Sequence, residues 1–478
     1  MNTKPLCIDM DGTLIFTDLL YEGLCALMKH SFFSLFLLPF WLIGGKANMK
    51  EQIAKRVQID PALLPYNEAL IGYLRSSKAN GRVLVLATAS PRLYADLVAN
   101  YLGLFDRVLA TEKGFNLSAS NKAKRLCELY GEKQFDYVGN SLDDLKVWEK
   151  AESAILVDTS PKVTAKAAML VPVAATFERK KPSLWDYTKA VRLHQWLKNI
   201  LIFVPLFAAH RANEIGLFKE ALLAFFAFGM CASSVYLLND LLDLPSDRLH
   251  LSKRMRPFAS GMISILHGML LIPVLLLIAG LISLNLTSYF AVSLGSYYLT
   301  TFAYSIWLKN KVMIDVITLA ILYTFRIIAG AAATNIIPSF WLLSFSMFLF
   351  LSLAMIKRYS ELLDVLKQNK IKPAGRGYNV DDLSVIISLG TASGYLSVLV
   401  LALYINSPDV RHLYSNYHLL WLVLPLFLFW ISQIWMKTHR GEMHDDPVVF
   451  AARDRSSLII AVLIGVILIM AGALKFPL

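Results

Sequence analysis

Two aspartates near the start of the chain have a spacing suited to phosphoryl chemistry. In CIDMDGTL, Asp9 and Asp11 follow a short apolar run that predicts a strand, and Gly12 predicts a tight turn. With this spacing one carboxylate can attack a phosphorus atom while the other transfers a proton. The pair alone is only moderately specific for a phosphatase.

Three further stretches supply the other groups that such a reaction needs. The strand predicted in RVLVLATAS ends near Thr88, whose hydroxyl suits a phosphoryl oxygen, and SASNKAKRL contains Lys122, which can neutralise phosphate. The stretch FDYVGNSLDDL predicts a strand and a turn with Asn140, Asp143 and Asp144, acidic enough for Mg²⁺.

A second acidic group ends an apolar run in VYLLNDLLDLPSDRLHLSKRMRP, residues 235–257. If the helix continues, Asn239, Asp243 and Asp247 lie at i, i+4 and i+8 on one stripe, with Asp240 on the adjoining side. Carboxylates this close together repel unless a cation neutralises them, and Mg²⁺ is commonly held by one or two carboxylates plus substrate phosphates. The pattern predicts a magnesium-assisted diphosphate site.

Three basic residues follow the aspartates and complete this predicted site. Lys253, Arg254 and Arg256 can bind phosphate oxygens and neutralise the negative charge that Mg²⁺ does not balance. The alternative is a solvated interfacial loop of mixed charge.

The composition predicts a soluble domain followed by a membrane domain. The chain has 478 residues, 56% hydrophobic and 17% charged, and the apolar excess is concentrated in residues 196–478. We attribute the net charge of +12 to membrane topology and expect no nucleic-acid partner. The start of the chain does not resemble a signal peptide, and four cysteines without paired spacing favour a reduced compartment.

Nine apolar runs predict an all-α domain of about nine transmembrane helices, with an uncertainty of one. They lie near 198–210, 217–238, 262–284, 287–307, 313–334, 339–356, 383–405, 417–436 and 456–474. Alternate connections contain sixteen Lys and Arg residues on one side and four on the other, so the positive-inside rule places the crowded side in the cytoplasm. The acidic clusters and the N-terminal domain are expected on that cytoplasmic face, in a bacterial inner membrane.

A shorter apolar stretch, HSFFSLFLLPFWLIGG at residues 30–45, cannot span a bilayer. A buried helix and a segment that docks on the membrane are the two interpretations. We favour docking, because the stretch has more aromatic residues than a small helical subdomain can bury.

The four N-terminal stretches together resemble the haloacid dehalogenase phosphatase family. The resemblance implies a doubly wound α/β domain over residues 1–172 with a helical cap at about 19–66, followed by a linker at 173–186. It also implies that Asp9 is the nucleophile, that Asp11 is the general acid and base, and that Mg²⁺ binds Asp9, the carbonyl of Asp11 and Asp144. Asn140 stands where this family often has aspartate. A degenerate, purely structural domain is the alternative.

The remaining chain, residues 187–478, resembles the UbiA superfamily of membrane transferases. NDLLDLPSDRLHLSKRMRP matches its first Asp-rich motif, which implies metal binding by Asp240, Asp243 and Asp247. KRYSEL replaces the second aspartate set with Lys357, Arg358 and Glu361. With VRLHQWLKNILIFVPLFA and RGEMHDDPVVFAARDRSS, this pattern is similar to the decaprenyl-phosphate phosphoribosyltransferase branch.

That branch implies a phosphoribosyl pyrophosphate donor and a polyprenyl phosphate acceptor. Lys357 and Arg358 would hold the ribose 5-phosphate. Two further sets are candidate contacts or else only interfacial anchors and helix caps: Arg192, Gln195, Lys198 and Asn199, and Asp445, Asp446, Arg453 and Asp454.

One hypothesis uses both halves of the chain. The membrane half makes a polyprenyl-phosphoryl 5-phosphoribose, and the soluble half removes the 5-phosphate. The runner-up is an aromatic prenyltransferase with an unrelated phosphatase, and a phosphorylation-driven transporter is disfavoured because DMDGT is not the DKTGT of ion pumps. The sequence leaves open whether the chain forms a homo-oligomer.

Overall fold

A computed structural model describes residues 4–112, 115–250, 252–369, 371–372, 376–443 and 446–473. The chain divides into two compact units. The first consists of Met1–Val191 and Leu237–Leu271, and the second of Arg192–Tyr236 and Ile272–Leu478. The Asp-rich stretch is therefore grouped with the N-terminal fold.

The first unit is built on a six-stranded parallel sheet in the order β3-β2-β1-β4-β5-β6. The strands are β1 Leu6–Ile8, β2 Leu84–Pro91, β3 Arg107–Thr111, β4 Asp136–Gly139, β5 Ala154–Val157 and β6 Val173–Phe177. The expected doubly wound α/β fold is confirmed.

Helices cover both faces of this sheet and also form the cap. They are α1 Leu19–His30, α2 Leu38–Ile43, α3 Lys46–Arg56, α4 Glu68–Ala79, α5 Arg92–Leu102, α6 Ala119–Tyr130, α7 Leu145–Trp148, α8 Pro161–Leu170 and α9 Leu184–Ala190, with 3₁₀ turns at Phe32–Leu37 and Pro61–Leu63. The cap lies between β1 and α4.

The apolar residues explain why the sheet is covered on both faces. Leu6, Ile8 and Leu86 belong to one buried cluster, whereas Cys7 and Val85 belong to another. Successive strand residues point to opposite faces, so the continuous apolar runs of β1 and β2 need packing on each side.

One boundary differs from the sequence-based expectation. Residues 173–177, which we expected to begin the linker, form β6 and pair with β5 in parallel. This strand lies at the sheet edge and is largely exposed, so it lacks the apolar run that marks the central strands.

The second unit is helical. Helices α10 to α21 complete the chain, and of these α12, together with the end of α11 and the start of α13, belongs to the first unit. They are α10 Val204–Ala208, α11 Ile215–Leu242, α12 Leu244–Leu249, α13 Ile265–Ser283, α14 Ser288–Ile306, α15 Ile314–Ala333, α16 Phe340–Lys367, α17 Leu383–Ile405, α18 Pro408–Leu413, α19 Val423–His439, α20 Pro447–Ala451 and α21 Arg455–Ala473. Further 3₁₀ segments are Leu193–Phe203, Lys253–Met255, Leu308–Asn310, Val380–Asp382 and Tyr417–Leu422.

Within the described ranges, seven helical segments are long and apolar enough to cross a membrane, which makes this a multi-pass membrane protein. They are Ile215–Leu242, Ile265–Ser283, Ile314–Ala333, Phe340–Lys367, Val380–Ile405, Tyr417–His439 and Arg455–Gly472. The other two expected spans are also helical. Leu193–Ala208 is short and begins as a 3₁₀ helix, and α14 contains many hydroxyl side chains.

Candidate active sites

The predicted phosphatase residues meet at the carboxyl edge of the sheet. Asp9 directly follows β1, Thr88 lies in the second half of β2, which continues to Pro91, and Asn140 directly follows β4. Strand β1 lies in the middle of the sheet. Strands β2 and β3 extend the sheet on one side of β1, and β4, β5 and β6 extend it on the other, so the strand order reverses next to β1. Ligands of doubly wound sheets bind at such a switch point.

The turn after Asp9 requires glycine. Gly12 has a φ of 74°, and a Cβ atom there would lie 2.3 Å from Nδ2 of Asn140. A left-handed backbone and a close approach both exclude larger residues. The turn directly after Asp11 therefore lies against the side chain of Asn140.

Asp9 forms an ion pair with the lysine that the sequence singled out. Lys122 Nζ lies 2.6 Å from Asp9 Oδ1 and donates to the Tyr137 hydroxyl at 2.8 Å. Burial raises the pKa of Asp9 to about 7, although Lys122 opposes this shift. Burial by itself would lower the pKa of Lys122, but Asp9 and Asp144 raise it above its usual range.

Asp11 has different surroundings. Its carboxylate accepts hydrogen bonds from the Leu19 backbone N–H at 2.9 Å and from Ser90 Oγ at 2.7 Å, and Thr88 Oγ1 lies 3.4 Å away. Burial and the neighbouring Asp18 raise the pKa of Asp11 to about 6. A carboxyl group that titrates near neutrality suits general acid and base catalysis.

Asp144 is the buried acid of the last motif, and Asp143 is exposed. The Asp144 carboxylate accepts from the backbone N–H groups of Asn140 and Ser141 at 3.0 and 2.9 Å, and from the Tyr137 hydroxyl at 2.8 Å. These bonds fix its orientation toward Lys122 and Asp9.

Two polar residues of this site were not identified from the sequence. Ser90 comes two residues after Thr88 in ATASP, so the extended strand β2 places both on the same side. Tyr137 lies within the apolar strand β4 and gave no signal beyond its hydroxyl group.

The Asp-rich segment, residues 239–262, largely keeps its predicted helical spacing. Helix α11 continues to Leu242, and α12 begins directly after Asp243. The backbone N–H of Asp243 donates to Asn239 O at 2.9 Å, and that of Asp247 donates to Asp243 O at 2.8 Å. These i, i+4 bonds support the expected stripe.

Protein cations contact all three aspartates of this segment. Arg256 Nη1 lies 3.1 Å from Asp240 Oδ1 and 2.7 Å from Asp247 Oδ2, and Lys29 Nζ of the cap helix lies 2.9 Å from Asp243 Oδ1. Burial raises the pKa of Asp247 despite Arg256. Of the three predicted basic residues, Arg256 makes these contacts, whereas Lys253 and Arg254 are exposed.

The carboxylate oxygens at both sites are of the kind that Mg²⁺ prefers. Among the residues that the structure describes, no three Asp, Glu, His or Cys side chains form a metal-binding group. A Mg²⁺ ion that is held by one or two carboxylates and by substrate phosphate does not need such a group. The residues therefore fit a metal that binds together with substrate.

In the second unit, Lys198 and Lys357 converge on Asp446. Lys198 Nζ lies 2.7 Å and Lys357 Nζ 3.5 Å from Asp446 Oδ2, and the Tyr323 hydroxyl donates to Asp446 Oδ1 at 2.8 Å. Burial would raise the pKa of Asp446, but the two lysines hold it below its usual range. Asp446 thus gathers predicted residues from distant parts of the chain.

A buried arginine beside this cluster was not identified from the sequence. Arg326 Nε donates to Asn199 Oδ1 at 3.1 Å, and its guanidinium lies over the rings of Phe228, Tyr297 and Tyr323. An arginine inside the apolar run of α15 is a signal that could have revealed it.

Arg358 differs from our expectation that it faces a substrate. Its side chain is fully buried, with Nη2 2.8 Å from Asp315 Oδ2 and Nη1 bonded to Glu361. A buried guanidinium that already pairs with two carboxylates has little capacity to hold a ribose phosphate. We therefore assign Arg358 and Glu361 to the support of α16, and Lys357 remains the candidate for substrate contact.

The cluster near the end of the chain separates into two parts. Asp454 caps α21 through the Ser457 N–H at 3.0 Å and pairs with Lys437 at 2.5 Å, as the helix-capping alternative predicts. Arg453 is exposed, and its role in substrate binding stays a prediction. Asp445 lies outside the described residues.

Comparisons with known proteins cover both halves of the chain. Residues 200–458 match the model of the UbiA prenyltransferase family. The uncharacterised protein y4nM of Sinorhizobium fredii is 37% identical over 471 residues, which are 98% of this chain and 91% of that protein.

Decaprenyl-phosphate phosphoribosyltransferase of Mycolicibacterium smegmatis is 36% identical over 178 residues, which are 36% of this chain and 56% of that protein. Among solved structures, phosphoserine phosphatase in its apo form covers 37% of this chain and 94% of its own, with 15% identity and a TM-score of 0.27. The resemblance to the UbiA superfamily and to its decaprenyl-phosphate phosphoribosyltransferase branch, expected from the motifs, therefore appears among the matches.

Proposed function

The chain belongs to the UbiA prenyltransferase family, and we propose that it catalyses two successive reactions on one lipid. The membrane half transfers 5-phosphoribose from phosphoribosyl pyrophosphate to a polyprenyl phosphate such as decaprenyl phosphate. The N-terminal half then hydrolyses the 5-phosphate to give polyprenyl-phosphoryl ribose, a precursor for pentose-containing surface glycans.

The first reaction exchanges one bond at the anomeric carbon of ribose. The bond to the pyrophosphate oxygen breaks, and an oxygen of the lipid phosphate forms the new bond. Asp240, Asp243 and Asp247 would hold Mg²⁺, which neutralises charge on the departing pyrophosphate. Arg256, which already lies between Asp240 and Asp247, supplies positive charge to the same group.

The second reaction uses the Asp9 and Asp11 site. Asp9 attacks the phosphorus atom and forms an aspartyl phosphate, while Asp11 gives its proton to the 5-oxygen of ribose. Asp11 then takes a proton from the water that hydrolyses the acyl phosphate. Lys122 neutralises charge on the phosphoryl oxygens, and Asp9 with Asp144 and the Asp11 carbonyl would hold a second Mg²⁺.

The observation that carries this proposal is the joint presence of two sites in one chain. The residues that phosphoryl hydrolysis needs converge on one sheet edge, and the chain is 36% identical over 178 residues to a decaprenyl-phosphate phosphoribosyltransferase. The product of that transfer still has a 5-phosphate. We place both reactions on the cytoplasmic face of a bacterial inner membrane, because the connections with most Lys and Arg include the Asp-rich segment.

Mass spectrometry of the lipids tests the proposal directly. Purified protein is incubated with decaprenyl phosphate, phosphoribosyl pyrophosphate and Mg²⁺. We expect a ribosylated lipid without its 5-phosphate. The phosphorylated lipid alone would support the transfer and contradict the hydrolysis, and the absence of any adduct would contradict the transfer.

Two variants assign the reactions to their sites. Asp243→Ala should abolish labelling of the lipid and leave hydrolysis of added lipid-linked 5-phosphoribose intact. Asp9→Asn should do the reverse and accumulate the phosphorylated intermediate, because an amide is not a nucleophile for phosphorus. Normal product from Asp9→Asn would refute the phosphatase assignment.

A further inference from the structure

A buried ion pair joins the cap of the N-terminal fold to the Asp-rich segment. Glu22 on α1 and Arg248 on α12 have side chains that are 6% and 7% exposed. Arg248 Nη2 donates to Glu22 Oε1 at 2.5 Å, and Nη1 donates to Oε2 at 3.2 Å. Two parallel charge-assisted bonds fix the relative orientation of the two side chains as well as their distance.

Both partners of this pair are held by further hydrogen bonds. The Thr17 hydroxyl donates to Glu22 Oε1 at 2.8 Å, and Arg248 Nε donates to the Ala259 carbonyl at 3.0 Å. Arg248 therefore connects the cap helix to the turn that follows α12.

The same N-terminal fold holds the Asp-rich segment at two other points. Lys29 contacts Asp243 near its start, and Arg179 Nη2 donates to the carbonyls of Gly261 and Met262 at 2.7 and 3.0 Å near its end. Gly261 has a φ of 71°, and a Cβ atom there would lie 2.7 Å from the Phe16 carbonyl oxygen. The segment is thus held at its start, middle and end.

We infer that the phosphatase cap positions the donor site of the transferase, and that Glu22 is a positioning residue for transfer. Arg248 directly follows Asp247 in the sequence, and its hydrogen bond to the carbonyl of Ala259 fixes the backbone three residues after Arg256. Glu22 thereby determines how Asp247 and Arg256 meet. This inference rests on the proposed assignment of the Asp-rich segment to the diphosphate donor, and such sites need their groups held within about 0.5 Å.

A buried ion pair can also serve stability alone, so the experiment must separate the two roles. The full chain is reconstituted in lipid nanodiscs as wild type and as Glu22→Gln, which keeps the shape and removes the charge. Thr17→Val is a milder variant that removes only the hydroxyl bond to Glu22. Asp136→Asn is the matched control, because Asp136 forms a buried ion pair with Arg82 at the start of β4 in the same unit.

The kinetic readout is the KM for each substrate. For Glu22→Gln we expect the KM for phosphoribosyl pyrophosphate to rise about tenfold, which corresponds to about 1.4 kcal/mol, with the KM for decaprenyl phosphate unchanged. Thr17→Val should raise the donor KM about threefold, a smaller effect because only one hydrogen bond to Glu22 is lost while its ion pair with Arg248 remains. Asp136→Asn should lower the thermal midpoint and leave both KM values unchanged. A donor KM for Glu22→Gln equal to that of wild type would overturn the inference.

A second readout does not depend on turnover. Hydrogen–deuterium exchange is followed in peptides from residues 252–262 of the full chain without substrate. We expect faster exchange in Glu22→Gln than in wild type and no change in Asp136→Asn. Unchanged exchange in Glu22→Gln would overturn the positioning role, whether or not the wild type transfers phosphoribose. A wild type that transfers nothing from phosphoribosyl pyrophosphate would instead refute the proposed function.

Discussion

At the scale of single residues, two neighbouring carboxyl groups have separate tasks because their partners differ. Asp9 faces the Lys122 ammonium, whereas Asp11 accepts from a backbone N–H and from Ser90. Burial raises the pKa of Asp9 to about 7 and that of Asp11 to about 6. Asp9, the proposed nucleophile, must be ionised to attack phosphorus. The rate of hydrolysis should therefore depend on Lys122, the cation that favours the ionised form.

The variant Lys122→Met tests this dependence. Lys122 lowers the pKa of Asp9, so its removal should raise that pKa further and leave less ionised Asp9 at pH 7. Hydrolysis of p-nitrophenyl phosphate should fall at least tenfold at pH 7, and the acidic limb of the pH–rate profile should move to higher pH. The exposed Lys150, which pairs with Glu132, provides the control Lys150→Met. A profile that loses rate without any shift of its acidic limb would contradict the role given to Lys122.

At the scale of elements, the cap contains an apolar surface that no part of the described chain covers. We call the segment Phe32–Ile43, a 3₁₀ turn followed by α2, the aromatic segment. Phe33, Phe36 and Phe40 are 78%, 67% and 69% exposed, whereas Leu35, Leu38 and Trp41 pack against the cap. One side thus packs on protein and the other faces outward, which supports the predicted docking on a membrane.

Replacement of the outward-facing phenylalanines tests this docking. The triple variant Phe33→Ser, Phe36→Ser, Phe40→Ser should slow hydrolysis of vesicle-borne lipid 5-phosphoribose at least tenfold, because each buried Phe is worth about 1.5–3 kcal/mol. Hydrolysis of soluble p-nitrophenyl phosphate should not change. Leu93→Ser with Met169→Ser, two exposed apolar residues elsewhere in the same unit, controls for lost surface apolarity. Equal losses on both substrates would indicate damage to the cap instead of lost docking.

At the scale of the whole molecule, the proposed reactions share a lipid that stays in the bilayer. A tethered second site meets the first product at a higher effective concentration than a separate enzyme would. This advantage belongs to the covalent connection and not to either site. It predicts that the phosphorylated intermediate remains scarce in the intact protein.

Complementation between two inactive variants measures the effect of the tether. Asp9→Asn and Asp243→Ala are placed in the same vesicles, where each can perform one of the two reactions. The reference vesicles contain wild type mixed with the inactive double variant, so that both samples have the same density of each active site. In the mixture of single variants we expect the final product to form more slowly than in the reference, with a transient rise of the phosphorylated lipid. Equal rates in the two samples would mean that the tether contributes nothing to transfer between the sites.

Much of the molecule could be inferred from the sequence because the relevant signals are local. Three kinds of feature depend only on residues that are neighbours in the sequence. They are the strands that lead to Asp9, Thr88 and Asn140, the apolar runs of the membrane half, and the helical spacing of Asn239, Asp243 and Asp247. Local patterns report periodicity and burial, and these determine the type of each element and its chemical groups.

Only the tertiary structure decided which distant groups meet. Glu22 and Arg248 are 226 positions apart, and Lys198 and Asp446 are 248 apart, so no periodicity connects them. Likewise, Arg358 is predicted from the sequence to contact substrate but is buried in an ion pair with Asp315 of another helix, although its neighbour in the sequence is Lys357. Long-range ion pairs depend on how elements pack, and packing is a property of the whole fold that spacing along the chain does not encode.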